Sequence, residues 1–167
     1  MNEGFFGKFR GVVTDNLDPE MRGRVKAKVP DVLGEFESGW ALPCAAFGGD
    51  KLGFFAVPTE GASVWVEFEH GDPDKPVWSG VFWSTLEIPP KLLVPPPPSK
   101  KVALITPAGH TVLLDDSPGI GGIILETAGG CKVSMTDLGI EIDNGKGGKI
   151  SIMGPTVSIN SGALDIT

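Results

Sequence analysis

The stretch VSMTDLGIEIDNGKGGKISIMGPTVSINSGALDIT, residues 133–167, decides the fold, because one short pattern returns along it. An apolar, a polar and an apolar residue follow one another four times, at 140–142, 150–152, 157–159 and 164–166. This alternation is typical of a β-strand with one buried face and one solvated face. Turn residues separate the strands, and no aromatic side chain is present to fill a core. The strands therefore need a surface against which to bury their apolar face.

The composition favours a protein of many short strands and tight turns. Among 167 residues there are 24 glycines and 15 prolines, and no long stretch keeps a helical apolar period free of both. No apolar run approaches the ~20 residues that span a bilayer, and the N-terminus lacks the pattern of a secretory signal. We expect synthesis in the cytosol, with Cys44 and Cys131 as buried reduced thiols rather than a disulfide.

The charge argues against nucleic acid as a partner. The net charge is −7, and both halves of the chain are acidic, so the protein as a whole would repel phosphate backbones. The densest positive stretch is RGRVKAK, residues 22–28, which we interpret as one solvated strand face. A nucleic-acid groove would need several such strands with stacking aromatic residues between the charges.

A proline-rich segment divides the chain. Residues 87–101, EIPPKLLVPPPPSKK, hold six of the fifteen prolines, and such a run favours an extended polyproline II spacer. We predict a first domain at 1–86, a proline-rich linker at 87–101 and a second domain at 102–167. The alternative for the proline run is a ligand for SH3 or WW domains.

The strand pattern of the first domain predicts a small β-barrel. We predict five strands, with residues 51–58 as an edge or a loop cover; the strands are 9–14, 23–29, 40–47, 62–70 and 76–83. In the fourth strand, Val64, Val66 and Phe68 share one face. About 85 residues of five antiparallel strands close most economically into a barrel, since closure removes exposed edges. An OB-type barrel is the favoured fold, and a small sandwich is the alternative.

The second domain consists of seven short strands that alternate apolar and polar residues. We predict them near 111–116, 122–127, 131–136, 139–143, 149–153, 156–160 and 163–166. A region of about 65 residues with such strands can scarcely form an independent core. We therefore predict that three copies close a prism, with backbone groups paired to neighbouring chains and apolar side chains inward. The predicted trimer core is Val112, Leu114, Ile123, Leu125, Val133, Met135, Ile140, Ile142, Ile150, Ile152, Val157, Ile159, Leu164 and Ile166.

Three phrases resemble a known family when taken in order. They are GVVTDNLDPEMRGRVKAKVPDV (11–32), GASVWVEFEHGDPDKPVWSGVFW (61–83) and ITPAGHTVLLDD (105–116). Together they resemble the phage baseplate assembly protein V family, the spike proteins of contractile tails, which are related to the valine-glycine-repeat spikes of type VI secretion. The resemblance covers nearly the whole chain. It implies an all-β protein with an N-terminal OB barrel and a C-terminal triple-stranded β-helix, intertwined in a homotrimer.

The carboxylates do not form a convincing catalytic pair. Some family members carry a lysozyme domain between barrel and helix, whereas only the proline-rich linker stands there in this sequence. Asp115 and Asp116 are adjacent on a strand and point to opposite faces. Glu67 and Glu69 share a face without a pocket signal, and glycoside hydrolysis needs two carboxylates across a cleft in different environments. We expect no enzymatic activity.

Metal and cofactor sites are not expected either. His70 and His110 lie in different halves, and we predict that His110 forms a hydrogen bond at the mouth of the prism. Some family spikes end in a His-x-His apex that holds iron, and NSGALDIT at 160–167 has no such motif. The stretch DNGKGGK (143–149) lacks the spacing of a P-loop. We interpret it as a hairpin turn with its corner at Asn144-Gly145.

Two functional classes follow from these patterns. The first is a trimeric structural spike, located in the tail baseplate of a virion or particle, made in the bacterial cytoplasm and driven transiently through a target-cell envelope. Its partners would be tail hub, tube and baseplate proteins, contacted by the loops DNLDPEMRG and FGGDKLG. A separate conical tip protein would sit on Leu164 and Ile166, because the last strand leaves an apolar cross-section uncovered. The alternative is an OB-fold module that binds oligosaccharide or single-stranded nucleic acid and carries a trimerising stalk.

Overall fold

The computed structural model describes residues 4–93, 100–161 and 163–166, which fall into two compact units at 1–87 and 88–167. Nearly all of the regular structure is β-strand. Within the described residues, no helix is long and apolar enough to cross a membrane. The predicted polyproline run at 95–98 lies outside the described residues.

Among its described residues, the first unit contains seven strands, one α-helical turn and one 3-10 turn at Glu69–Gly71. The strands are β1 (Phe9–Asp15), β2 (Lys26–Lys28), β3 (Leu42–Pro43), β4 (Gly48–Gly49), β5 (Leu52–Gly53), β6 (Ser63–Phe68) and β7 (Pro76–Val81), and the helix is α1 (Pro30–Leu33). Five of the strands form one sheet in the order β2-β1-β6-β7-β3, and β4 pairs with β5 in a separate small hairpin. Paired hydrogen bonds between Val25 and Ala41 join the two outer strands of the sheet, so that it curls towards closure.

The core of the first unit follows from the alternation in β6. Val64 and Val66 are fully buried and Phe68 nearly so, as the pattern predicted. They pack with valines and alanines from β1, β2 and the region before β3, and the edge of the core holds Phe5, Phe9 and Trp78. Each fully buried valine or phenylalanine stabilises the fold by roughly 1.5–3 kcal/mol relative to an exposed one.

Two predicted strands are shorter than expected. The strand predicted at 40–47 is reduced to Leu42–Pro43; Cys44 still donates its N–H to the carbonyl oxygen of Trp78 on β7, and the pairing ends there. The strand predicted at 23–29 ends at Lys28, where Pro30 begins the helical turn α1. Pro30 at the first position of the helix and Gly34 after its last residue, with a φ of 59°, are typical of a short helix. The prediction of a strand at 23–29 did not take account of them.

The second unit is one antiparallel meander of eight strands. Its elements are α2 (Pro90–Leu93), β8 (Lys101–Ile105), β9 (Thr111–Asp115), β10 (Gly122–Glu126), β11 (Lys132–Thr136), β12 (Gly139–Asp143), β13 (Lys149–Met153), β14 (Thr156–Ile159) and β15 (Leu164–Ile166). Each strand pairs with the next along the chain. The seven predicted strands are present within a residue or two of their expected bounds. The structure adds β8, which the sequence reading assigned to the end of the linker and the start of the next domain.

Candidate functional site

The register of the meander places apolar residues in two unbroken columns on one face of the sheet. Opposite residues on paired strands share a face, and the pairs follow one another across all eight strands. The first column is Leu104, Val112, Leu125, Val133, Ile142, Ile150, Ile159 and Leu164. The second is Val102, Leu114, Ile123, Met135, Ile140, Ile152, Val157 and Ile166. We call these sixteen residues the two-column face.

The two-column face is open in a single chain. Val112 and Ile150 are each 37% exposed and Val102 is 68% exposed, whereas Val133, Val157 and Ile159 are half-buried. On the opposite face of the same sheet, Leu113 and Ser134 are buried. A contiguous apolar face of this size, left uncovered, marks an interaction surface. The sheet thus exposes the very side chains that it would need to bury.

All fourteen predicted core residues lie in these columns by backbone register. The side chain of Ile166 is outside the described part of the chain. That these residues meet around a three-fold axis stays a prediction. The sequence reading missed Val102 and Leu104, although KVALI at 101–105 shows the same alternation as the strands that were recognised.

Charged residues occupy the opposite face of the meander in alternating sign. Glu126, Lys132, Asp143 and Lys149 face one another on successive strands, and Lys149 also forms an ion pair of 2.6 Å with Glu141. Opposite charges on neighbouring strands stabilise the pairing and remain compatible with water. This face is therefore suited to solvent.

The helical turn α2 is attached to this polar face. Lys91 Nζ donates to Glu126 Oε2 at 2.7 Å and to Thr111 Oγ1 at 3.2 Å. Nearby, Asp115 accepts hydrogen bonds from Ser117 and lies 3.7 Å from Lys101, and these contacts hold the pKa of Asp115 below its usual range. Part of the predicted proline-rich linker is thus fixed to the second unit.

The hairpins behave as turns rather than as ligand sites. Asn144 Oδ1 accepts from the N–H groups of Lys146 and Gly148, as expected for a turn with its corner at Asn144-Gly145. His110 Nδ1 accepts from the N–H of Ala128 at 3.3 Å, so it forms the kind of contact that was predicted. Among the described residues, no group of three or more His, Cys, Asp or Glu could hold a metal ion.

The loop 15–24 is organised around one carboxylate. Asp18 accepts from the N–H groups of Glu20, Arg22 and Arg24 at 2.8–3.2 Å, and its Oδ1 also accepts from Nε and Nη2 of Arg24. The charged hydrogen bond to Arg24, together with the backbone donors, holds the pKa of Asp18 well below its usual range. These hydrogen bonds hold the loop in one conformation.

The basic stretch 22–28 is only partly the solvated face that was predicted. The side chain of Arg24 is 12% exposed and lies over the Trp40 ring at 5.6 Å. Lys26 contacts the same ring at 5.2 Å and pairs with Glu37 at 3.1 Å. Both cations therefore contact residues of the first unit itself, and these contacts fix the loop to the sheet.

Apolar side chains on the loops of the first unit are strongly exposed. Leu17, Met21 and Phe55 line one groove and are each at least 75% exposed. Met21 has a φ of 53°, which non-glycine residues rarely adopt, and such strain persists where the surrounding structure imposes it. The hairpin β4–β5 and its flanks add Phe47, Leu52 and Phe54, all more than half exposed. We call this set the loop patch.

The outer face of the first sheet carries an aromatic pair that is already covered. The rings of Trp65 and Phe82 are 4.7 Å apart, and the Arg10 guanidinium lies 5.4 Å and 5.0 Å from the two ring centres. A base or sugar would have to displace this cation in order to stack.

The cysteines are free but not buried. Cys44 and Cys131 both have exposed side chains, which corrects the expectation of buried thiols. Each lies next to a turn, where the short strands leave little to cover a side chain.

Two family models match the chain. Residues 9–83 match a type VI secretion system and phage-baseplate injector OB domain, and residues 101–165 match a phage baseplate V C-terminal trimerisation domain. A relative, the actin cross-linking toxin VgrG1 of Vibrio cholerae serotype O1, is 36% identical over 75 residues. That match covers 42% of this chain and 7% of the relative.

An OB domain followed by a trimerisation domain defines a structural spike protein of a baseplate or injection machine. This chain belongs to the phage baseplate V and VgrG spike family. The predicted family and the all-β fold class are confirmed. Membership makes the chain a component of a tail or baseplate, and it assigns the two-column face to a domain whose family function is trimerisation.

Proposed function

We propose that three copies of this chain form the central spike of a contractile tail, in a phage or a phage-like injection system. The observation that carries this proposal is the two-column face, which runs unbroken across eight strands and is open in the single chain. Three copies with these faces inward give a dry interior of aliphatic side chains. The ion-paired faces then point to water.

The shaft would contribute stiffness rather than chemistry. Its backbone ladder joins strands of the same chain, not neighbouring chains as the sequence reading expected. The copies would therefore be held together by side-chain packing, which in protein interiors is as dense as in organic crystals. Eight strands at ~4.8 Å spacing make a shaft on the order of 35 Å long. Sheath contraction would supply the work to drive it through a target-cell envelope, without a cofactor or a catalytic step.

The OB domain would act as the adaptor to the tail. The loop patch offers exposed apolar side chains on a loop that Asp18 holds in place. Recognition residues lie commonly on loops positioned by a rigid scaffold. We propose tail hub, tube or baseplate proteins as the partners of this patch, with residues 87–101 connecting the adaptor to the shaft.

The far end of the shaft would carry a separate conical tip protein. Leu164 ends the first column and is 53% exposed. Its strand, β15, is the last of the sheet and pairs on one side with β14. A tip protein would cover Leu164 and Ile166 and use the open edge of this strand.

Light scattering on the full-length protein tests the spike proposal. We expect the mass of a trimer at micromolar concentration, retained in denaturant that unfolds ordinary domains of this size. A monomer under these conditions would contradict the proposal. For the tip, Leu164→Asp is expected to remove binding of the tip protein from purified particles while the trimer persists, because β15 is the edge strand and a charge there stays open to water. Particles without density beyond β15 would show that no separate tip exists.

A further inference from the structure

The two edges of the second unit are chemically different. Hairpins that connect β9–β10, β11–β12 and β13–β14 fall on one edge, which we call the knob edge. Hairpins that connect β8–β9, β10–β11, β12–β13 and β14–β15 fall on the other, which we call the glycine edge; its fully described turns are 106–110, 127–131 and 144–148. This division follows from the meander alone, because each strand reverses the direction of the one before.

The knob edge carries one large exposed apolar side chain in or next to each of its turns. Ile120, Leu138 and Met153, the last of which ends β13, are 64%, 73% and 52% exposed. They do not belong to the two-column face. Hairpins on the same edge recur every two strands, so these side chains follow one another at intervals of about 10 Å along the shaft.

The glycine edge has no large exposed apolar side chain among its described turns. Its turns read TPAGH, TAGGC and NGKGG, and the second and third touch through their backbones. A Cβ at Gly145 would lie 2.9 Å from the carbonyl carbon and oxygen of Gly130. Apart from Lys146 and His110, these turns carry small side chains, and the second and third turns are closely stacked, so that a bulky apolar side chain can approach their backbone closely.

We propose that the knob edge of each copy packs against the glycine edge of the next copy in the trimer. The inference rests on the proposed trimeric shaft, and the occupant of each edge is a second copy of this chain. Around a three-fold axis each copy meets two neighbours through two different edges, so the contact is head-to-tail and closes after three copies. The seam is continuous with the two-column face, since both belong to the same strands.

The strand order also sets the height of the contact. Hairpins on the two edges alternate by one strand, or about 4.8 Å. Copies related by rotation stand at the same height, so each knob is level with the space between two glycine turns of its neighbour. Leu138, between β11 and β12, is thereby placed beside the turns 127–131 and 144–148. The native Cys131 lies at the end of the first of these turns and is exposed.

Cross-linking of the full-length protein tests this seam. The chain carries Cys44→Ser so that Cys131 is the remaining thiol, and Leu138→Cys adds a second one on the knob edge. A short bismaleimide is expected to give a covalent trimer on a denaturing gel. Cys131→Ser in the same background, with Leu138→Cys as its one thiol, is expected to give no covalent oligomer. Ser151→Cys, on the polar face, serves as the matched control and should not cross-link to Cys131.

The outcomes separate the seam from the spike proposal. A covalent dimer from Leu138→Cys alone would show that like edges meet, and would overturn the head-to-tail seam. A light-scattering trimer that does not cross-link through Leu138→Cys and Cys131 would overturn the seam and leave the spike intact. A monomer by light scattering would overturn both. As a second measurement, Leu138→Ser should lower the dissociation temperature of the trimer, whereas Leu86→Ser, at a 97% exposed site of the first unit, should not.

Discussion

Ile142 on β12 lies directly opposite Ile150 on β13, and in the single chain these two side chains remain 44% and 37% exposed. Two β-branched residues paired across neighbouring strands normally mark a buried face. Here the backbones of β12 and β13 are fully paired, but the side chains of Ile142 and Ile150 are not buried. In the proposed trimer the missing contact comes from another chain, and this makes the pair a direct test of trimerisation.

Ile142→Asp should prevent trimer assembly. The substitution would place three carboxylates around one dry axis, and burying an unpaired charge costs several kcal/mol per group. Light scattering and thermal unfolding would measure the loss. Glu141→Lys, one residue away on the polar face, should still assemble, since it replaces a partly exposed ion pair with Lys149 by a like-charge contact beside water, which costs less than a charge buried in the interior. Equal damage from both substitutions would mean that the apolar face is not the interface.

Val102→Ser should weaken the trimer although the sequence reading left Val102 out of the core. Val102 begins the second column and is 68% exposed in the single chain. Loss of its burial should cost about 1–2 kcal/mol per copy, visible as a lower dissociation temperature. Ala103→Ser, on the opposite face of the same strand, is the matched control. An unchanged temperature for Val102→Ser would end the shaft at β9.

The fate of β8 shows what alternation can and cannot reveal. From β9 onward, turn residues stand on both sides of each apolar pair, so each strand can be predicted from its own residues. In β8, the pair Val102 and Leu104 follows a proline run, and the prolines led to the prediction of a linker at 87–101. The second error has the opposite cause: the apolar run at 40–47 is long enough for a strand but pairs with β7 only over Leu42 and Pro43. The alternation of β8 was therefore present in the sequence, whereas the short length of β3 is not visible in the apolar pattern.

The hydrogen bonds of Asp18 could not be predicted from the sequence. Its donors are backbone N–H groups of residues 20, 22 and 24, brought to one carboxylate by a turn in which Met21 takes a positive φ. No characteristic set of residue types identifies such a turn in a sequence. The loop DNLDPEMRG could be predicted as a surface loop from its Asp and Pro residues. Its rigidity could not.

Gly139→Ala should disrupt the sheet at β12. Gly139 has a φ of 151°, and a Cβ at this position would collide with the carbonyl oxygen of Ile152 on β13. We expect lower thermal stability of the second unit and loss of the trimer, measured by circular dichroism and light scattering. Gly39→Ala is the control, because Gly39 has no positive φ, no atom within 4 Å of its Cβ position, and no part in the proposed contact between copies. A stable Gly139→Ala trimer would mean that the strands separate easily there.

Asp18→Asn should make the first unit less stable at neutral pH, with an effect that shrinks in acid. The folded pKa of Asp18 is lowered from its ordinary value of 3.8, chiefly by the hydrogen bond from Arg24. A lowered carboxylate pKa contributes stability that is fully present above the ordinary value and is lost as the pH falls through the folded one. The stability difference between wild type and variant, followed by thermal unfolding from pH 7 to pH 2, should therefore be constant above about pH 4 and narrow below it. A difference that stays the same down to pH 2 would show that the charge of Asp18 is not what matters.

Met21→Asp should produce a trimer that does not enter particles. Met21 is 89% exposed and already has an unusual backbone conformation, to which Asp is better suited than Met. The substitution therefore leaves the fold intact, and it places a charge in the centre of the apolar loop patch, next to Leu17 and Phe55. If the patch docks on a tail protein, that charge is buried without a partner and docking fails. Leu86→Asp is the control, since Leu86 is 97% exposed and lies outside the loop patch. Complementation of a spike-deficient particle, with the spike content of purified particles measured by immunoblot, compares the two variants. Normal incorporation of Met21→Asp would place the adaptor contact elsewhere on the OB domain.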